Sequence, residues 1–418
     1  MRVLLIPYDN GMHINHFPLG LAYVASKMRA EDYDVTVYQH DMYHSEDSLR
    51  QYLRSNSYDV IGLGACAGYY QYQQIQKLCQ IIHEETNSQI WLGGHLVSPA
   101  PVYFTYKLGG RVLVGEYDYE ENADDIAEPA WDLFILDYYA LVRLPHSDNQ
   151  DRCLPVLTGR GCPYRCNFCY RLEEGYRPRS IESIITEIQF LIKQYRINYI
   201  EFADELLMVN PDRTMKISEA LKPLSIKWNC NGRLNIANAK ILKTMKESGC
   251  VFINYGVESV DDRVLERMNK KLRYDQIIKG VEATLEAGIS PGLNIIWGNL
   301  GDTKDTLWRS VEFLLKYDDH AQLRTIRPVT PYPGSPLYDY AIEKGLLRDI
   351  GDFYEKHKNS DLLTVNFTDL SDDAFHLELL RANRELIAEY YFHQKTHADE
   401  SAKRLYNGDT SFRGFRQT

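Results

Sequence analysis

The strongest constraint on the fold is a repeated alternation of short apolar runs ending at turn residues with stretches whose apolar residues recur at helical spacing. Arg2-Val3-Leu4-Leu5-Ile6-Pro7 reads as a buried parallel strand. Pro18 to Met28 follows with a helical pattern, and Asp34-Val35-Thr36-Val37-Tyr38 alternates as a second strand. Asp59 to Gly64 and Gln89 to Gly94 repeat the strand-then-loop pattern around a helical stretch from Gln71 to Glu85, and Arg111 to Gly115 is a fifth strand. Such alternation predicts an α/β doubly wound parallel sheet whose ligand crevice lies beyond the carboxyl ends of the strands.

Residues Glu116 to Pro129 are acidic and poor in large apolar groups, which predicts a linker. A second strand–helix series begins at Cys153-Leu154-Pro155-Val156-Leu157. Its further strands fall near Tyr199–Phe202, Lys227–Cys230, Phe252–Gly256, Gly292–Trp297 and Leu323–Val329. Units of this number predict a full or partial barrel with its chemistry on the loops at the carboxyl ends. From Gly351 the pattern turns helical and charged, clearest from Asp373 to His393, and the end from Asn407 to Thr418 reads as a loose tail. The expected units are 1–115, 116–150, 151–345 and 346–418. A chain of 418 residues exceeds the usual single domain.

A net charge of −11 disfavours a nucleic-acid partner. No stretch approaches the ~20 apolar residues that cross a bilayer, and the start lacks the pattern of a signal peptide, so a cytoplasmic protein without a membrane partner is expected. In that compartment the eight cysteines read as buried thiols or metal ligands.

Three of them, Cys162, Cys166 and Cys169, fall in one loop after a predicted strand, Gly159-Arg160-Gly161-Cys162-Pro163-Tyr164-Arg165-Cys166-Asn167-Phe168-Cys169. Soft thiolates select zinc or iron–sulfur clusters. A structural zinc site normally takes four ligands, whereas three thiolates on a four-iron cluster leave one iron open. The glycines beside Arg160 let the loop wrap closely. Cys66, Cys79, Cys153, Cys230 and Cys250 read as buried thiols, with Cys230 the one expected nearest the site.

This spacing, with Phe168 before the last cysteine, resembles the radical S-adenosylmethionine (radical SAM) superfamily, and the resemblance spans about Cys153 to Tyr338. It implies a partial (β/α)6 barrel, a [4Fe-4S] cluster on the three cysteines, and S-adenosylmethionine chelated to the open iron and cleaved to a 5′-deoxyadenosyl radical. It also implies an electron donor such as flavodoxin or ferredoxin. Phe202-Ala203-Asp204-Glu205 resembles the strand-end segment that meets the methionine ammonium, through carbonyls and an acidic side chain. Glu258 in Gly256-Val257-Glu258-Ser259 resembles a ligand of methionine or ribose, Lys270 one of the carboxylate, and Asn294 one of the ribose. Pro331 to Pro336 resembles the segment near the adenine. Arg160, Arg233 and Arg324 lie near predicted strand ends, where an arginine pairs with cofactor, substrate or a neighbouring carboxylate.

The unit before Glu116 resembles the flavodoxin-like (Rossmann-like) cobalamin-binding domain of one subgroup, through Pro18 to Ala22 and Leu92-Gly93-Gly94-His95. Gly93, Gly94 and His95 are the expected cobalamin contacts. The Asp-x-His-x-x-Gly motif is missing, and the chain reaches Pro129 without the subgroup's usual extra helix, which predicts a sheet uncovered on one side. Tyr69, Tyr70 and Tyr72 either stack on a ligand or fill its space. The resemblance implies a cobalamin-dependent methyltransferase acting on an unactivated carbon of a small metabolite or natural product. The alternative is a cobalamin-independent dehydratase, epimerase or cyclase that uses the first domain as scaffold. A zinc-stapled binding protein is the non-enzyme reading.

Overall fold

In the computed structural model, which describes residues 1–7, 9–66 and 68–409, the chain forms two parallel sheets joined by a packed connection. The first series runs β1 (Arg2–Pro7), α1 (Leu19–Ala30), β2 (Asp34–Val37), α2 (His40–Tyr43), α3 (Glu46–Ser55), β3 (Val60–Gly64), α4 (Tyr69–Glu85), β4 (Gln89–Gly93), α5 (Pro101–Leu108) and β5 (Arg111–Val112). The strand order is β2-β1-β3-β4-β5, so the order reverses between β1 and β3, and the crevice of such a sheet opens there. Leu4, Ile6, Ile61, Leu63, Ile90 and Leu92 bury one face under α3, α4 and α5. Val3, Leu5, Val60 and Trp91 bury the other against Ala25 and Met28 of α1. That second face is not left bare by the missing helix: Leu113, Tyr117, Ala130 and Leu133 cover it.

The acidic stretch after β5 is likewise no free linker. Lys27 bonds Glu120 at 2.8 Å, Arg160 takes Asp118 at 2.5 Å and Glu116 at 3.4 Å, and Arg177 pairs with Glu116. The negative charge of this stretch is matched by Lys27 of α1 on one side and by Arg160 and Arg177, beyond the connection, on the other. Beyond it, Trp131 stacks on Phe17 at 4.8 Å and Tyr139, in α6 (Leu136–Tyr139), meets Phe17 edge-on, so an aromatic cluster welds the connection to both units. Val142 and Leu144 then close the lower end of the barrel against Cys153 and Tyr199.

The second series is β6 (Cys153–Val156), β7 (Gly159–Cys162), β8 (Gly175–Pro178), α7 (Ile181–Tyr195), β9 (Tyr199–Phe202), α8 (Pro211–Leu221), β10 (Lys227–Gly232), α9 (Ala239–Glu247), β11 (Cys250–Glu258), α10 (Asp262–Arg267), α11 (Tyr274–Glu286), β12 (Ser290–Trp297), α12 (Lys304–Tyr317) and β13 (Arg327–Pro328). Six of these strands form a parallel sheet of order β13-β12-β11-β10-β9-β6, an open partial barrel. β7 and β8 stand apart as an antiparallel hairpin, where a loop alone was expected. β13 keeps two residues of the seven expected, since Arg324 turns toward Asp318 and Phe252 at the barrel's lower end and the backbone of Ile326 bonds the Asn383 side chain.

After α13 (Pro336–Glu343), the C-terminal stretch divides its packing. Phe353 and Tyr354 of α14 (Ile350–Lys356) enter the core of the first sheet, with Tyr354 stacked on Tyr72 at 4.0 Å. Phe375, Leu379, Ala382 and Leu386 of α15 (Asp372–Tyr406) enter the barrel core. Residues 410–418 of the expected tail lie outside the described residues. Among the described residues no helix is long and apolar enough to cross a membrane.

Candidate active site

The three cysteines sit at and beyond the tip of the β7–β8 hairpin, at the carboxyl end of the barrel. Cys162 closes β7, and Cys166 and Cys169 follow in the connection. The glycines beside Arg160 serve the hairpin itself. A Cβ on Gly161, whose φ is +79°, would lie 2.4 Å from the Gly175 carbonyl oxygen, and one on Gly159 would meet the Tyr176 ring. The connection is then clamped from the barrel side. Asn167 N donates to Met268 O at 2.9 Å, Asn269 Nδ2 to Arg165 O at 2.7 Å, and the amides of Asn167 and Asn299 bond each other both ways at 3.0–3.1 Å.

All three thiols are free. Desolvation raises each above the ordinary thiol value, while Lys270 and Arg233 pull Cys166 back toward the thiolate. Cys162 and Cys166 both act on Cys169 and raise its pKa, so the three thiols lie near one another. Three soft donors in one loop suit a cluster that keeps one metal position open.

Around this loop the structure gathers most of the expected positions. Glu258, at the bulged end of β11, bonds Lys270 Nζ at 2.9 Å, and both are largely buried. Lys270 Nζ also stands 5.9 Å from the centroid of the Phe168 ring. Glu258, Asn269 and Lys271 all have left-handed backbone, with φ of 66°, 54° and 53°, a concentration of strain typical of a functional site. Ala203 and Glu205 are exposed at the end of β9, and the Glu205 charge acts on Cys162 and Cys169. Asp204 differs from the expectation. Its carboxylate is buried and accepts from Thr158 N, Gly159 N and Thr158 Oγ1 at 2.6–3.2 Å, so it fixes the β6–β7 corner and leaves Glu205 as the acidic side chain on the cleft. Burial pushes Asp204 up to about 7 against these donors.

Asn294 belongs to an array that the sequence reading missed. Its Nδ2 donates to Asn254 Oδ1 at 2.7 Å, Asn254 Nδ2 to Asn231 Oδ1 at 3.0 Å, and Asn231 Nδ2 to Asp204 O at 2.8 Å. The ladder crosses from β12 to the end of β9 on the barrel's inner face. Its sequence signal was polar amides alternating with apolar residues inside otherwise buried strands. His16, from the loop after β1, reaches Glu201 of β9 at 3.7 Å, so the first unit also lines the barrel.

Arg233 stacks over Tyr164 at 3.6 Å and donates to the carbonyls of Lys270 and Lys271, which ties the cluster loop to the lysine segment. Its buried Nε has no partner. Arg160 pairs with acids of the connection. Arg324 lies at the barrel's lower end beside Asp318, away from the cysteines. Cys230, expected near the site, faces the apolar core between sheet and helices beside Cys250, because it occupies the outward position between Asn229 and Asn231.

In the first unit, Gly93 ends β4, and Gly94 and His95 follow it at the same end as the cysteines. A Cβ on Gly94, with φ +97°, would strike Ala65 O at 2.4 Å, whereas the space beside Gly93 is open. His95 meets Tyr170, the residue after Cys169, edge-on at 6.1 Å, and burial lowers its pKa. Gly334 packs against Tyr170 and Pro99, which places the Pro331–Pro336 segment at this junction. Ser98 Oγ is buried there without a partner. An open glycine shelf with an orphaned hydroxyl beside it fits a ligand such as a corrinoid tail. Tyr72 is used in core packing, and Tyr70 packs on Gly11.

Fold and site together define an α/β enzyme with a three-thiolate cluster loop over an open parallel barrel. The sequence matches the radical SAM superfamily over residues 156–314 and the B12 binding domain over residues 13–123. An uncharacterized methyltransferase from Pyrococcus horikoshii is 30% identical over 379 residues, 79% of each chain. The hopanoid C-2 methylase of Rhodopseudomonas palustris is 27% identical over 67% of this chain and 57% of its own length. The fold is similar to that of the methyltransferase TsrM from Kitasatospora setae, solved with cobalamin and a [4Fe-4S] cluster bound (TM-score 0.65, 16% identity, 82% of this chain and 78% of that one). It is also similar to OxsB, a cobalamin-dependent radical enzyme (TM-score 0.62, 18% identity, 92% and 61%). The chain belongs to the radical SAM superfamily, in the arrangement that carries a B12-binding domain ahead of the barrel.

Proposed function

We propose that this enzyme is a cobalamin-dependent radical SAM methyltransferase acting on a carbon of a small metabolite or natural product. The observation that carries the proposal is the contact between the two candidate cofactor surfaces: the Gly93–His95 shelf touches the cluster loop through Tyr170, one residue from Cys169. In this reading Cys162, Cys166 and Cys169 hold the cluster. Ala203 and Glu205 accept from the methionine ammonium, Lys270 meets its carboxylate, and Glu258 holds Lys270 in place. Asn294, whose Nδ2 is held by Asn254 Oδ1, offers its side-chain oxygen to the ribose. Gly93, Gly94 and His95 take the corrinoid. When bound, the reduced cluster supplies the electron that cleaves S-adenosylmethionine and the corrinoid supplies a cobalt that carries methyl groups. The chain contributes orientation and exclusion of water, with the connection sealing the barrel from below through Val142 and Leu144. The functional units are 1–115 for the corrinoid, 116–150 as a plug and tie, 151–345 for the radical chemistry and 346–418 as a brace. The electron donor is a small reducing protein of the flavodoxin or ferredoxin kind, and the site of action is the cytoplasm.

Anaerobic purification with added cobalamin, followed by mass spectrometry of cofactor products with and without a metabolite extract, tests this. Corrin absorbance and formation of S-adenosylhomocysteine together with 5′-deoxyadenosine are expected. Formation of 5′-deoxyadenosine alone, on a protein free of corrin, would instead favour a dehydratase, epimerase or cyclase.

A further inference from the structure

A second cluster of ligand-type side chains lies at the other end of the barrel. His320 follows α12, in the connection that leads into β13, and so sits on the face that feeds the amino ends of the strands. Glu389 and His393 stand one turn apart on α15. The ligand atoms of all three lie within 4.8 Å of one another. The His320 and His393 rings are stacked with centroids 3.8 Å apart, and His393 Nε2 is 3.1 Å from Glu389 Oε1.

We propose that His320, Glu389 and His393 form a binding site for a divalent transition-metal ion of the zinc class. Two imidazoles and a carboxylate are a borderline-soft donor set suited to such an ion, and water completes a tetrahedron. The backbone is arranged to present this set. His320 has left-handed conformation at φ 55°, fixed by its N–H on Asp318 Oδ2 at 3.3 Å and by Gln394 Nε2 on its carbonyl at 3.1 Å. The strained position therefore turns the imidazole onto α15 one residue from the Gln394 clamp. Bonds of ~2.1 Å require ligand atoms ~3.4 Å apart with the ion in the plane of each ring, so the imidazole stack and the His393–Glu389 hydrogen bond open as the ion enters.

The site's location says what the ion does. Leu386 is the last residue of α15 buried in the barrel core, while Tyr391, Phe392 and Tyr406 are exposed. An ion at Glu389 and His393 pins the helix to the barrel one turn beyond its last apolar anchor. The site lies at the face of the barrel associated with stability and is separate from the proposed chemistry.

The test uses the cluster-reconstituted enzyme, cleared of loose metal by a chelator and titrated with Zn2+, with bound zinc, thermal midpoint and amide exchange read in parallel. One zinc beyond the cluster metal, a raised midpoint and slowed exchange over 389–394 are expected. His320→Ala and His393→Ala should each weaken zinc binding at least about ten-fold and abolish the slowed exchange, with Glu389→Gln in the same direction. Wild-type protein that takes no such zinc, or a His320→Ala/His393→Ala double variant that takes it as wild type does, overturns the site. Because His393 is exposed, its replacement leaves the core intact, and loss of S-adenosylmethionine cleavage is not expected in any of these variants.

Discussion

Gly256 is the residue on which the proposed S-adenosylmethionine site turns. A Cβ there would fall 2.3 Å from Glu258 Oε1 and 2.8 Å from Lys270 Nζ. Both are ends of flexible side chains, so Gly256→Ala should fold yet displace the pair. Losing one charge-assisted hydrogen bond costs ~1.5–3 kcal/mol, so S-adenosylmethionine binding should weaken at least about ten-fold, as measured by equilibrium dialysis. Unchanged affinity would remove Lys270 from the cofactor site. At His357 the prediction concerns pH. It is buried against Phe353 and bonds Thr364 Oγ1 at 2.9 Å, and burial lowers its pKa from 6.5 to about 4. The folded state therefore favours the neutral ring, and its stability is intact above the unfolded pKa and lost as pH falls from 6.5 toward 4. By pH 5 the loss is ~2 kcal/mol, and His357→Gln should narrow the fall in thermal midpoint between about pH 7.5 and pH 5. Much of the site was legible because cysteines at fixed spacing and acids at strand ends carry their chemistry in the sequence. Cys230 was misread because a strand's inward and outward positions differ by a single residue, and only the register assigns them. Asp204, two residues past β9, was misread because the Thr158 and Gly159 donors that draw it inward are distant in sequence.

The β7–β8 hairpin holds the three-cysteine loop in place. Gly161→Ala puts a methyl into the Gly175 carbonyl and forces a positive φ on alanine, so iron retention should fall sharply while the far-ultraviolet circular dichroism stays near wild type. Full iron content in that variant would show that the hairpin is dispensable. The first half of α15 braces the end of β12, with Phe375 stacked on Trp297 at 4.1 Å and packed against Gly298. Phe375→Ala should destabilise the protein by ~3–5 kcal/mol, read from chemical denaturation. The long strands and amphipathic helices were visible in periodicity. The hairpin was not, because Gly159-Arg160-Gly161-Cys162 has no β-branched or aromatic residues and owes its pairing to Tyr176 and the close approach of Gly175. β13 was overread because Leu323 is exposed and Ile326 gives both backbone groups to the Asn383 side chain in place of a neighbouring strand.

For the whole molecule, the connection of residues 116–150 decides how the two α/β units act together. It was read as a linker from its charge, yet its acids are matched by Lys27, Arg160 and Arg177, cations distant in sequence. Its aromatic residues and Val142 and Leu144 weld the first unit to the barrel and close the barrel's lower end. This fixed arrangement keeps the Gly93–His95 shelf against the cluster loop. In the proposed function the three cysteines hold an iron–sulfur cluster that cleaves S-adenosylmethionine. Iron, sulfide and 5′-deoxyadenosine measured on anaerobically reconstituted wild type and Cys166→Ala test it most directly. Iron and sulfide with cleavage in the wild type, and no cleavage in the variant, are predicted; zinc without iron and sulfide, or cleavage retained by Cys166→Ala, would contradict it.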